Sequence, residues 1–128
     1  MYLLDTDICV YALRHHPRVV REMAVRSPAD IAVPCMVEAE LHFGALRSRD
    51  PEKGRSEVAA FLAPLGRQPF DSVAAWHHAQ VRDALSARPI GERDLVIAST
   101  ALAHRATLVT HNVGEFGRVP GLSVEDWV

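Results

Sequence analysis

Short candidate strands that alternate with helix-like segments are the feature that most restricts how this chain can fold. The candidate strands lie at 2–4, 30–33, 67–70, 107–110 and 122–124. Strands separated by helices pair in parallel, because the chain must cross back over the sheet between them. The sequence therefore predicts an α/β protein, a three-layer α/β/α sandwich with a short, mainly parallel sheet.

Helical periodicity and capping residues predict the segments between the strands. The predicted helices are one that ends at Arg14 and others at 18–26, 35–47, 56–65, 72 to about 87 and 92–105, with a turn at 48–54. Thr6 or Asp7 is suited to cap the first helix, and for Asp7 the cap is the favoured role. Val73, Trp76 and Val81 recur at helical spacing and predict the apolar face of the fifth helix.

Length and composition predict one compact domain over residues 1–128. Hydrophobic residues make up 48% and charged residues 23% of the 128 residues, which is typical of a globular chain. No signal peptide is recognised, and no apolar stretch reaches the length of about 20 residues that a membrane helix needs. We therefore expect a cytoplasmic protein without membrane contact. The net charge of −2 argues against a protein that coats nucleic acid through bulk positive charge.

Two acids differ in the helical face they occupy. Glu40 shares its face with Val37 and Phe43, whereas Glu38 shares its own with His42. The pattern predicts that Glu40 points inward and Glu38 lies on the surface.

Asp5 and Asp94 complete a candidate acidic patch with Glu40. Asp5 follows the first strand, and Asp94 shares a helical face with Ile97 and Ala98. Carboxylates taken out of water need a cation, a metal or strong donors. Mg²⁺ and Mn²⁺ prefer such oxygen ligands, and a water with a lowered pKa at the metal can attack a phosphodiester. Taken singly, Asp5 and Asp94 also suit helix N-termini, and Glu40 also suits an ion pair.

Four motifs in this order resemble the PIN-domain ribonucleases, and specifically the toxins of VapBC toxin–antitoxin pairs. They are Leu-Leu-Asp-Thr-Asp at 3–7, Glu-Leu-His-Phe-Gly at 40–44, Asp-Leu-Val-Ile-Ala at 94–98 and Leu-Val-Thr-His-Asn-Val-Gly-Glu-Phe at 108–116. The resemblance covers nearly the whole chain. It implies a single PIN domain that cleaves RNA, tRNA or rRNA, with Mg²⁺ or Mn²⁺ held by Asp5, Glu40 and Asp94. It also implies a homodimer that a VapB-type antitoxin neutralises.

The fourth motif departs from the pattern of the wider family. Many relatives carry a fourth acid where this chain has Asn112, and Glu115 is a candidate substitute. Thr110 is expected to donate a hydrogen bond to the carboxylate of Asp5, as the resemblance implies. A basic cluster near Asp5 in sequence suits either RNA phosphates or a solvated helix face. Its members are Arg14, His15, His16, Arg18 and Arg21.

Two other functions remain open at this point. Asp5 and Asp7 after a strand also resemble the nucleophile motif of haloacid-dehalogenase-type phosphatases, although the only lysine, Lys53, falls in a predicted turn. The absence of a fourth acid at Asn112 leaves open a non-catalytic regulatory module that binds a metal without turnover.

Overall fold

The computed structural model describes residues 1–128 and contains five strands, seven α-helices and one short 3-10 helix. The strands are β1 (Tyr2–Leu4), β2 (Ile31–Pro34), β3 (Gly66–Gln68), β4 (Thr107–Val109) and β5 (Ser123–Glu125). The helices are α1 (Thr6–Leu13), α2 (Pro17–Ala24), α3 (Cys35–Leu46), α4 (Pro51–Leu62), α5 (Ser72–Ala84), α6 (Glu92–Ala103) and α7 (Val113–Phe116). The 3-10 helix spans Pro28–Asp30. The predicted α/β sandwich is confirmed.

The five strands form one sheet in the order β3-β2-β1-β4-β5, and every neighbouring pair is parallel. Leu3 lies opposite Ala32 of β2 and Leu108 of β4. The chain builds outward from β1 on one side and then returns to the other side of β1 through β4. The strand order therefore reverses between β1 and β4, which is where ligands bind in open parallel sheets.

The central strands are buried on both faces. Leu3, Leu4, Leu108 and Val109 are each 0% exposed and belong to a core of 27 buried hydrophobic residues. Strands covered by helices on both faces read as continuous apolar runs rather than alternating ones, which is why β1 and β4 were recognisable. The core fixes the carboxyl ends of these two strands side by side.

The predicted turn at 48–54 was too long. The helix α4 already begins at Pro51, and the side chain of Asp50 caps it by accepting a hydrogen bond from Lys53 N at 3.2 Å. Proline suits the first helical position because its missing N–H is not needed there. The helix α7 and the 3-10 helix were not predicted, and β3 lies at Gly66–Gln68 instead of 67–70.

The predicted apolar face of α5 was wrong in part. Trp76 and Val73 are 64% and 54% exposed, whereas Ala74 and Val81 are buried. The helix turns its small residues toward the core and leaves its largest apolar side chains in solvent. None of the helices is long and apolar enough to cross a membrane.

Candidate active site

Asp5 lies where β1 ends and α1 begins. Its backbone N–H donates to Val109 O at 2.9 Å, and its Oδ1 accepts a hydrogen bond from Thr6 N at 2.8 Å. Asp5 is therefore the N-cap of α1, and the cap predicted for Asp7 or Thr6 was wrong. Because the capping bond and the adjacent strand hold it, Asp5 is only 6% exposed.

Thr110 fixes the other oxygen of this carboxyl group. The Thr110 hydroxyl donates to Asp5 Oδ2 at 2.7 Å and accepts a hydrogen bond from Asn112 N at 3.0 Å. Thr110 itself is fully buried. The expected hydrogen bond between the ends of β1 and β4 is thus present, and it leaves Asp5 with one orientation.

A pocket of about 470 Å³ opens above these residues. Its polar lining includes the carboxyl groups of Asp5, Asp7, Glu40 and Asp94 and the amide of Asn112. The fold therefore brings together the three predicted acids from α1's cap, α3 and α6. It also adds Asp7, which was predicted only as a cap.

Glu38 and Glu40 face different surroundings, but both are half-buried, so the predicted contrast between a surface residue and an inward one is confirmed only in part. Glu38 is outside the pocket and forms ion pairs with Arg67 at 3.1 Å and His42 at 3.9 Å. The prediction relied on an apolar face around Glu40. This basis was only partly correct, because Phe43 on that face is 65% exposed. Val37 on the same face is fully buried, so this face lies partly against the core and partly in solvent.

The two candidates for the fourth position, Asn112 and Glu115, lie in different surroundings. Asn112 lines the acidic pocket, whereas Glu115 is not part of its lining. Instead, Glu115 Oε2 accepts a hydrogen bond from Arg118 Nη1 at 3.0 Å. Glu115 still acts on the site at longer range, because its charge contributes to raising the pKa of Asp94.

Burial and mutual repulsion make the carboxyl groups hard to ionise. Burial, partly offset by the hydrogen bond from Thr110 and reinforced by the charge of Asp7, raises the pKa of Asp5 to about 7. Burial also raises the pKa of Asp94, and Glu40 is the next largest cause. The pKa of Asp7 is raised by burial as well. Such a cluster favours a bound cation, since only a positive charge lets all the carboxylates ionise together.

The donor set suits a hydrated divalent cation better than a tightly ligated one. No three His, Cys, Asp or Glu side chains come close enough together to ligate one ion directly. Mg²⁺ commonly keeps several waters and takes one or two carboxylates, so the oxygen-lined pocket fits it. Asp7 Oδ1 and Thr6 Oγ1 are buried at this pocket without a hydrogen-bond partner, and a water around such an ion would supply one.

Val10 and Tyr11 of α1 were missed as site residues in the sequence, and Asp7 was predicted only as a cap, although a signal was present. Asp7, Val10, Tyr11 and Arg14 follow helical spacing, and all four line the acidic pocket. Lys53, by contrast, lies in α4 outside this pocket and within 3.9 Å of Glu57. A phosphatase of the haloacid-dehalogenase type needs a lysine at the phosphate, so the geometry argues against it.

Comparison with known proteins assigns the chain to one family. The family model for the PIN domain matches residues 2–122. The chain therefore belongs to the PIN-domain family.

Relatives that match over nearly their whole length narrow the assignment from the PIN-domain family to the VapC ribonucleases. The chain is 38% identical to "Ribonuclease VapC2" of Rickettsia felis, over 99% of this chain and 98% of that protein. It is 34% identical to the "tRNA(fMet)-specific endonuclease VapC" of Shigella flexneri, over 98% and 97% of the two chains. The VapBC2 structure from Rickettsia felis bound to a promoter DNA fragment superposes with a TM-score of 0.92 at 37% identity, covering 99% of this chain and 98% of that one.

We expect Thr110→Val to lower RNA cleavage by about 10- to 100-fold, because partners that orient ligand carboxylates have effects of this size. Loss of the hydroxyl removes a hydrogen bond that lowers the pKa of Asp5. The pH profile of cleavage should therefore shift to higher pH. Thr110→Ser keeps the hydroxyl and is the matched control. An unshifted profile in Thr110→Val would show that this bond does not control the ionisation of Asp5.

Proposed function

We propose that this protein is a metal-dependent endoribonuclease and the toxin of a type II toxin–antitoxin pair. The observation that carries the proposal is the convergence of Asp5, Glu40 and Asp94 on one pocket at the point where the strand order reverses. Membership of the VapC ribonucleases supports the same activity. The bound ion is Mg²⁺, with Mn²⁺ as a substitute.

Asp5, Glu40 and Asp94 hold the cation, directly or through its waters. Asn112 completes the site, with Glu115 as the less favoured candidate because its carboxylate is paired with Arg118. When bound, a divalent cation supplies positive charge at the phosphate and a water that ionises near neutral pH. Thr110 and the N–H of Thr6 keep Asp5 oriented toward the pocket.

The reaction that these groups support is hydrolysis of a phosphodiester bond. A water oxygen forms the new bond to phosphorus, and the bond from phosphorus to the 3′ oxygen breaks. A carboxylate of the pocket accepts the proton of the attacking water, and solvent returns a proton to the 3′ oxygen. The products carry 5′-phosphate and 3′-hydroxyl ends.

The substrate and partners follow from the relatives. A tRNA or rRNA is the proposed substrate, since two relatives are named for tRNA(fMet). A VapB-type antitoxin is the proposed partner, because similar chains occur in structures described as VapBC complexes. We further propose that the chain is a single PIN domain, forms a homodimer and acts in the cytoplasm, where such RNAs are found.

Incubation of the purified protein with a pool of structured RNAs tests this function. We expect cleavage with Mg²⁺, 5′-phosphate ends in the products, and no cleavage in EDTA. Expression without an antitoxin should also arrest cell growth. Intact RNA at high concentrations of correctly folded protein would contradict the proposal, and so would equal cleavage in EDTA.

A further inference from the structure

Tyr11, which lines the acidic pocket, has a histidine ring packed on each of two sides. The ring centroids of Tyr11 and His16 are 5.1 Å apart, and those of Tyr11 and His111 are 6.0 Å apart. Both pairs meet edge to face, with interplanar angles of 73° and 83°. We call Tyr11, His16 and His111 the aromatic shelf.

The first end of the shelf is fixed by the turn between α1 and α2. His16 is the N-cap of α2, where its Nδ1 accepts a hydrogen bond from Val19 N at 3.3 Å. Its backbone N–H donates to Tyr11 O at 2.9 Å. His15 takes a left-handed conformation with φ of 61°, which is uncommon outside glycine and costs free energy. The strained turn brings the His16 ring back onto Tyr11.

The other end is fixed by the acidic site and by the C-terminal residues. The N–H of His111 donates to Asp7 Oδ2 at 3.3 Å, and His111 Nδ1 lies 2.9 Å from Asp126 Oδ2. Asp126 Oδ1 in turn accepts a hydrogen bond from Val128 N at 2.9 Å. Side chains at both ends of the shelf are therefore held before any ligand arrives.

The shelf remains accessible although it is held. Tyr11 lines the acidic pocket together with Asp5 and Asp94, is only half-buried, and makes no hydrogen bond through its hydroxyl. The side chain of His111 is 52% exposed. Arg14 lies one helical turn beyond Tyr11 in the same pocket, is exposed and forms no ion pair. Tyr11 of the shelf thus lines the same pocket as four acidic residues and an arginine without an ion pair.

We propose that the aromatic shelf stacks an unpaired nucleobase next to the cleaved phosphate, while Arg14 contacts a neighbouring phosphate. This rests on the proposed ribonuclease function. Aromatic side chains bind bases that are splayed out of single strands, loops and bulges, and they accept any base because each has a π face. Bases inside a duplex cannot reach the shelf. The substrate should therefore be cut only at unpaired nucleotides.

Fluorescence of a base analogue tests the stacking apart from cleavage. The Asp94→Asn variant is used as background, because it is expected to bind RNA without cutting it. Hairpin RNAs carry 2-aminopurine at one loop position at a time. We expect the 2-aminopurine fluorescence to be quenched at the position next to the cleavage site. Adding Tyr11→Leu should weaken RNA binding about 10-fold and abolish this quenching. Tyr11→Phe should keep both.

Two controls separate recognition of a base from a structural effect. Tyr2→Leu makes the same change at the opposite end of β1, next to Trp127, and should leave RNA binding unchanged. An abasic nucleotide at the quenched position should weaken RNA binding to the Asp94→Asn background protein. On that RNA, the background protein should bind no more tightly than the same protein with Tyr11→Leu added. In cleavage assays, Tyr11→Leu should raise KM about 10-fold with little change in kcat.

The outcomes distinguish the shelf from the function on which it rests. The stacking proposal is wrong if the unmutated protein cleaves RNA while the addition of Tyr11→Leu to the Asp94→Asn background changes neither RNA binding nor 2-aminopurine quenching. If Tyr11→Leu weakens binding of intact and abasic RNA equally, the role of Tyr11 is structural. If the unmutated protein neither binds nor cuts RNA, the ribonuclease function itself fails.

Discussion

Replacing Asp5 with asparagine is expected to lower RNA cleavage by roughly 10²- to 10⁴-fold, because charge stabilisation by a bound cation contributes several kcal/mol to such reactions. The side chain keeps its size, and the amide oxygen can still accept the hydrogen bonds from Thr110 or Thr6. What it loses is the negative charge that we propose holds the cation. Initial rates at saturating Mg²⁺ measure the effect.

The matched control, Glu38, lies two residues from Glu40 in α3 and on a different face of the helix. Glu38→Gln removes the same charge from α3 as Glu40→Gln does, but Glu38 is paired with Arg67 outside the pocket. We expect Glu40→Gln and Asp94→Asn to lose cleavage as Asp5→Asn does, and Glu38→Gln to retain it. An exposed ion pair of this kind contributes at most about 1 kcal/mol to stability. Equal loss of activity in Glu38→Gln would refute the assignment of the acids.

In the metal-free protein, stability should fall as the pH rises from about 4 to above 7. Burial raises the pKa of Asp5 from 3.8 to about 7, so the folded state binds a proton that the unfolded state releases. This contribution is complete below the unfolded pKa and is lost as the pH rises through the folded pKa. Between pH 5 and pH 8 the loss is on the order of 3 kcal/mol. Asp7 and Asp94, whose pKa values are also raised, act in the same direction.

Urea unfolding in EDTA at pH 5 and pH 8 measures this loss. In Asp5→Asn the dependence should be much smaller, so the inactive variant should be more stable than the unmutated protein at pH 8. Mg²⁺ should restore the stability of the unmutated protein at that pH, because binding to the folded state adds to its stability. A stability of the unmutated protein that rises from pH 5 to pH 8 would contradict the raised pKa of Asp5.

The sequence predicted the structure best where the local residue pattern also reflects burial in the fold. The runs at β1 and β4 are apolar because both sheet faces are covered, and the polar residues that follow them mark the edge of the sheet. Asp5 and Thr110 could therefore be placed together. For Glu40 the helical period gave the correct direction relative to Glu38.

The errors arose where tertiary contacts decide between local alternatives. Asp5 and Asp7 are both good capping residues, and the junction with β1 makes Asp5 the cap. Trp76 fits an apolar stripe by spacing, yet α5 buries Ala74 instead. The aromatic shelf joins residues that are 95 positions apart, from His16 to His111, so no local pattern predicts it.

Anomalous diffraction from crystals of the protein soaked in Mn²⁺ tests whether Asp5, Glu40 and Asp94 form a metal site. We expect a peak in the pocket between these three residues, with waters completing its coordination, and a loss of that peak in Asp94→Asn. A protein that cleaves RNA but binds Mn²⁺ elsewhere, or equally well without Asp94, would contradict the proposed metal site.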